Sequence, residues 1–174
     1  AFFGSVRTLT RSSFARAASD TTTVLITGET GTGKELLAHL IHKWSGCSGE
    51  FVALNCAALT ETLIESQLFG HRKGSFTDAV TDHPGAVRQA RGGTLFLDEI
   101  GELSANNQGK LLRLIEYGEV HSIGASGPEQ VDVRIVAATN SNLKEEVARK
   151  LFREDLYYRL QTFHLELPPL RERP

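Results

Sequence analysis

The sequence predicts an α/β fold in which a parallel five-stranded sheet is flanked by helices. Short apolar runs of strand composition alternate with longer helical patterns along the chain, and a glycine-rich turn joins the first such run to the first helical pattern. Strands are expected at 22–27 (TTVLIT), 51–56 (FVALNC), 94–98 (TLFLD), 133–138 (VRIVAA) and 162–167 (TFHLEL). Helices are expected between them, at 34–44, 57–69, 84–91, 105–116 and 142–160. Two connections, 70–83 and 117–131, are longer than such a fold needs to turn a corner.

A chain of 174 residues is about one domain and buries a sizeable core. With 19 Lys and Arg against 21 Asp and Glu, the net charge of -2 excludes a chain-wide basic footprint for nucleic acid. The two cysteines, Cys47 and Cys56, read as free thiols in a reducing cytoplasm rather than a disulfide. Neither a signal peptide nor a bilayer-length apolar run is present, so a cytoplasmic location is expected. The first residue is not Met and the last are LPPLRERP, the pattern expected of a piece of a longer protein. No internal repeat or low-complexity tract interrupts it.

The first strand leads into GETGTGKE, where Gly28, Glu29, Thr30, Gly31, Thr32, Gly33, Lys34 and Glu35 form a phosphate-binding loop. Glycines let backbone N–H groups wrap an anion, the following helix adds the positive end of its dipole, and Lys34 reaches the β- and γ-phosphates. Glu35 stands where Ser or Thr would ordinarily hold Mg²⁺, so the metal must depend more on its other ligands. Those are expected from the third strand, which ends in Asp98 and Glu99 at the carboxyl edge of the sheet, where open α/β sheets bind ligands. Asp98 suits Mg²⁺ and Glu99 suits the water that attacks the γ-phosphate. Two histidines, His39 and His42, fall on the first helix and suit packing or solvation better than a metal site with Cys47; His71 and His83 also lack ligand spacing. No NKxD element for guanine occurs.

Taken together, GETGTGKE, FVALNCAAL, ESQLFGHRKGSFTDA, ARGGTLFLDEIGEL, VDVRIVAATN and FREDLYYRL...LPPLRER resemble the central AAA+ ATPase domain of bacterial sigma-54-dependent transcriptional activators, the enhancer-binding proteins. The resemblance runs in register from about Gly4 to Arg173. It implies an AAA+ P-loop NTPase, with residues 1–174 as the α/β subdomain ending before a helical lid. Glu35 is the family's residue at its position. The implied activity is Mg²⁺-dependent ATP hydrolysis by a hexameric ring, dimeric at rest in some members. The ring remodels sigma-54 RNA polymerase holoenzyme, and DNA is bound through a domain outside this chain, in some members under a two-component system.

The resemblance also assigns roles. Asn55 is similar to the residue that restrains the catalytic glutamate until the γ-phosphate is seated, and Asn140 to the first sensor; an Asn there also suits a cap for the next helix. Arg153 and Arg159 resemble arginine fingers given to a neighbouring subunit. On one helix, six residues at about 100° each would set them roughly 120° apart, leaving one of the two as an interface ion pair. Gly74, Ser75, Phe76, Thr77, Asp78 and Ala79 spell GSFTDA, similar to the GAFTGA loop that touches sigma-54, and 117–131 resembles its supporting hairpin. An exposed Phe76 suits an anchor. The other reading folds Phe76 back onto the domain. Asp78 replaces a glycine and would be penalised if its φ is positive. It points to a second function, a nucleotide-dependent assembly switch that has lost productive contact with sigma-54. Gly4 and Ser5 fall where the family's base pocket begins.

Overall fold

The computed structural model describes residues 17, 22–169 and 171, so the base-pocket positions Gly4 and Ser5 lie outside the described residues. In chain order the elements are β1 (Val24–Thr27), α1 (Lys34–Ser45), β2 (Phe51–Asn55), α2 (Glu61–Phe69), α3 (Ala86–Gln89), β3 (Thr94–Asp98), a 3₁₀ turn (Ile100–Glu102), α4 (Ala105–Tyr117), β4 (Glu119–Val120), β5 (Glu129–Gln130), β6 (Arg134–Thr139), α5 (Leu143–Ala148), α6 (Glu154–Leu160) and β7 (Phe163–Glu166). Five strands form one sheet in the order β2-β3-β6-β1-β7, and every pair is parallel.

Strand residues alternate between the two faces, and both faces are apolar. Leu25, Leu95, Leu97, Ile135 and Ala137 join Leu68, Leu111 and Leu156 of α2, α4 and α6 in one core. Val24, Ile26, Phe96, Val136 and Ala138 join Leu37, Ala38 and Ile41 of α1 in the other. This is why the central strands read as continuous apolar runs. His39 stacks on Phe51 at 3.8 Å and His42 bonds Thr94 through Nδ1 at 2.9 Å, so both histidines serve packing. Among the described residues no helix is long and apolar enough to cross a membrane.

Three helix expectations need correction. The helix expected at 57–69 starts at Glu61, because Asn55 Oδ1 accepts from the Ala57 N–H at 2.8 Å and Cys56 N–H donates to the Asp98 carbonyl at 2.9 Å, holding the strand exit in a turn. The one expected at 84–91 shrinks to Ala86–Gln89, since Gly85 before it has φ 80°. The pattern at 142–160 is two helices, broken where Lys150 takes a left-handed φ of 60° and Phe152 dives into the core. Arg153 is therefore the extended N-cap of α6 (φ -74°, ψ 131°), and it and Arg159 do not share one helix face relation.

The two long connections are knitted together. His71 and His83 pair as an antiparallel bridge at the base of 70–83, and His71 also bridges to Ile123 of the second insertion. Within that insertion β4 and β5 pair antiparallel. Gly70 and Gly85 are packed back to back: a Cβ on Gly85 would lie 2.4 Å from the Gly70 nitrogen.

Candidate functional site

Because β6 lies between β1 and β3, the chain segments leaving these three strands stand side by side at the carboxyl edge. The first is the phosphate loop. Gly31 and Gly33 have φ 79° and 90°, and Gly33 is the N-cap of α1, so the loop bends in a way side chains would resist. Lys34 opens the helix almost fully buried, and its ammonium donates to the carbonyls of Gly28 (2.9 Å) and Glu29 (3.1 Å). Thr32 is buried and its hydroxyl also donates to the Glu29 carbonyl, at 2.8 Å. Glu35 is exposed on the first turn of α1.

The second segment carries the acidic pair. Asp98 Oδ1 accepts from the Glu99 N–H at 3.0 Å. Glu99 itself sits at φ 52°, ψ 52°; it and Lys150 are the two non-glycine residues with positive φ among those described. A left-handed conformation costs a residue with a Cβ about 1–2 kcal/mol. Here it aims the Glu99 carboxylate toward the third segment, where the Asn140 N–H donates to Glu99 Oε2 at 3.3 Å. Asn140 Nδ2 in turn donates to the Thr30 hydroxyl at 3.0 Å. Thr30, Asn140 and Glu99 thus form one polar chain from phosphate loop to acidic pair.

Other expected residues fall less uniformly. Asn55 stands opposite Asp98 in the β2–β3 register, one residue short of Glu99, with its Oδ1 occupied by Ala57. The cap of α5 is Asn142, whose Oδ1 accepts from Glu145, so Asn140 is not spent on capping. Arg153 makes a two-point contact with Asp155 (2.7 and 3.0 Å) and Arg159 bonds Glu116 of α4 at 2.9 Å. Both cations pair with carboxylates outside the phosphate loop. Cys56, buried next to the pair, has its thiol pushed up to about 12 by burial and then by the negative charges of Asp98 and Glu99.

In the 70–83 loop, Phe76 is half-buried with its ring edge on His71, 4.9 Å between centroids, so it is folded back rather than held out. Gly74 N–H donates to the Ala79 carbonyl and Ala79 N–H to that of Phe76, closing the tip; Ser75 bonds the Arg72 carbonyl. Thr77 and Asp78 are exposed, and Asp78 is not among the residues of positive φ, so the penalty expected for replacing glycine there does not arise.

Sequence reasoning missed three contacts. Arg171 Nη1 reaches the Glu29 carboxylate at 2.9 Å, His71 carries Phe76, and buried Gln108 of α4 binds three backbone groups at once. A glutamine within an amphipathic helix gives no signal of such a role.

The chain is similar to known proteins over most of its length. The chain is 57% identical over 159 residues to the Nif-specific regulatory protein of Azotobacter vinelandii, covering 91% of this chain and 30% of that protein. It is 53% identical over 160 residues to the DNA-binding transcriptional regulator NtrC of Rhizobium meliloti strain 1021, covering 91% of this chain and 33% of that one. The chain thus spans about a third of the length of these relatives. Among solved structures, NtrX from Brucella abortus superposes with a TM-score of 0.85 at 36% identity, over 92% of this chain and 36% of NtrX, and NtrX has also been solved with ATP. The Sigma-54 interaction domain model matches residues 5–166, nearly the whole sequence, and the chain belongs to that family.

Proposed function

We propose that this chain is the α/β subdomain of an ATP-hydrolysing motor that remodels sigma-54 RNA polymerase holoenzyme to activate transcription. The observation that carries the proposal is the polar chain Thr30–Asn140–Glu99, which ties the phosphate loop to the residue that would act on water. Left-handed Gly31 and Gly33, the N-terminus of α1 and buried Lys34 fit the phosphates of ATP. Lys34, now on two carbonyls, is the cation that would transfer to phosphate. Asp98 offers a hard oxygen for Mg²⁺, and among the described residues no cluster of three or more His, Cys, Asp or Glu could hold a metal alone. The ion would share Asp98 with phosphate oxygens and water, and would supply neutralisation of phosphate charge. Glu99 would take the proton of the attacking water, while Asn55 and Asn140 orient that carboxylate.

Arg153 and Arg159 would complete the site of a neighbouring subunit in a hexameric ring. Freeing either one breaks a partly exposed ion pair, worth about 0–1 kcal/mol, a small barrier for a finger. The loop Gly74–Ala79 would touch sigma-54, with Phe76 leaving His71 to do so. A lid after residue 174, a DNA-binding region elsewhere in the protein and a cytoplasmic location complete the reading. Asp78 has no positive φ, so the backbone part of the case for an assembly switch without sigma-54 contact falls away, and its added negative charge is what still supports that reading.

The test is binding to purified sigma-54 in the presence of ATP or a γ-phosphate transition-state mimic. The parent is expected to bind only with nucleotide, and Phe76→Ala to keep ATP turnover while losing binding and open-complex formation. A parent that hydrolyses ATP as a ring yet binds sigma-54 in no nucleotide state would replace the motor with the switch.

A further inference from the structure

Gln108 is fully buried on α4, and each of its polar atoms is engaged. Its Nε2 donates to the carbonyls of Leu103 (2.7 Å) and Leu151 (3.1 Å), and its Oε1 accepts from the Arg153 N–H (2.8 Å). These groups come from three separate places in the chain. Leu103 closes the 3₁₀ turn that follows Glu99. Leu151 lies in the left-handed break between α5 and α6, and Arg153 caps α6 without a side-chain bond of its own to that helix's N–H groups. Eight residues further along α4, Glu116 holds the Arg159 side chain. One helix, rooted in the turn after the acidic pair, therefore grips both candidate fingers.

We propose that Gln108 is a positioning residue that couples the turn behind a subunit's own Asp98–Glu99 pair to the Arg153 finger it offers its neighbour. The inference rests on the trans-acting finger assigned above. Its physical basis is geometric. A side-chain amide with two donors and one acceptor fits two carbonyls and one N–H, and with Gln108 itself fully buried, each bond lost would leave a polar atom of the amide unsatisfied. Displacement of the Glu99 turn on loss of the γ-phosphate would shift the Leu103 carbonyl, and Gln108 would carry that shift to the backbone that aims Arg153.

The test separates a subunit's own site from the finger it donates. In the full-length protein, Gln108→Met keeps the volume and removes all three bonds. Alone it is expected to bind ATP within about twofold of the parent and to lose about tenfold or more of its hydrolysis, part of the ~10³-fold or greater effect of a missing finger. It is then mixed with Lys34→Ala protomers, which are inactive at their own site but carry sound fingers. Hydrolysis should return, because those fingers now serve the Gln108→Met sites. An Arg153→Ala protein mixed in the same way is the control. If Arg153→Ala is rescued and Gln108→Met is not, Gln108 acts within its own site and the coupling is wrong. If neither is rescued, the trans finger itself fails and the inference falls with it. Should Gln108→Met not fold, Gln108→Glu, which keeps the oxygen facing the Arg153 N–H, enters the same mixing experiment with the same outcomes.

Discussion

Lys34 and Glu99 follow β1 and β3, on either side of β6, and in the proposed function they would answer to different parts of a nucleotide. Lys34 is a nearly buried cation parked on loop carbonyls, so its loss removes the charge that attracts phosphate. Glu99 makes no direct bond to the loop among those described and reaches it only through Asn140, so neutralising it should leave the loop's cation and backbone in place. Lys34→Ala is therefore expected to abolish ATP binding in calorimetry, and Glu99→Gln to retain it while hydrolysis disappears; equal loss of binding in both would refute the division of roles. Cys56 gives a second residue-level outcome. Burial and then the two carboxylates push its thiol up to about 12, so almost none of it is reactive thiolate at pH 8. Because the thiol must lose a proton to react, alkylation should rise only as pH climbs toward that value. At pH 8, mass spectrometry after brief iodoacetamide treatment should find Cys47, which is partly exposed, modified and Cys56 intact.

The loop proposed to touch sigma-54 stands on a tightly packed base. Gly70 and Gly85 meet with no room for a Cβ, and Gly124, at φ 75°, would bring one to 2.8 Å from Ser75. Arg88 adds bonds to the Phe69 and Pro84 carbonyls and an ion pair to Glu129, joining α3, the loop base and the hairpin. Gly85→Ala combines backbone strain with overlap and should destabilise the fold by about 2 kcal/mol or more, lowering Tm by several degrees in calorimetric melting. Gly124→Ala acts locally. It should leave ATP affinity within about twofold and weaken nucleotide-dependent sigma-54 binding at least about fivefold, since the left-handed turn at 124 is strained and the seat of Ser75 moves, both away from the phosphate loop.

For the whole molecule, the unit of activity is expected to be the assembly. Neither Arg153 nor Arg159 is paired with the phosphate loop of its own chain; their carboxylate partners lie on α6 and α4. If the proposed ring forms, ATPase activity per protomer of the full-length protein should rise with protein concentration and fall by about 10³-fold or more without the finger that touches phosphate. A dilution series read by phosphate release checks it, and flat specific activity would remove the trans-acting role.

The parallel sheet and the glycine-rich loop of the candidate phosphate site were legible in the sequence alone. Apolar runs such as TLFLD can be buried only on both faces, and GETGTGKE between strand and helix has a local physical cause in glycine φ freedom and a helix N-terminus. The sequence did not determine where helices break, because Phe152 is drawn into the core by distant elements and exposed Lys150 takes the left-handed turn before it, with no glycine or proline to mark the break. Nor did it contain the strand order that sets Asn140 between Thr30 and Glu99, the fold of Phe76 onto His71, or the three bonds of Gln108. Those contacts join residues separated by up to 110 positions in the chain, and side-chain hydrogen bonds across such distances depend on the tertiary path, which only the packed sheet and its helices decide.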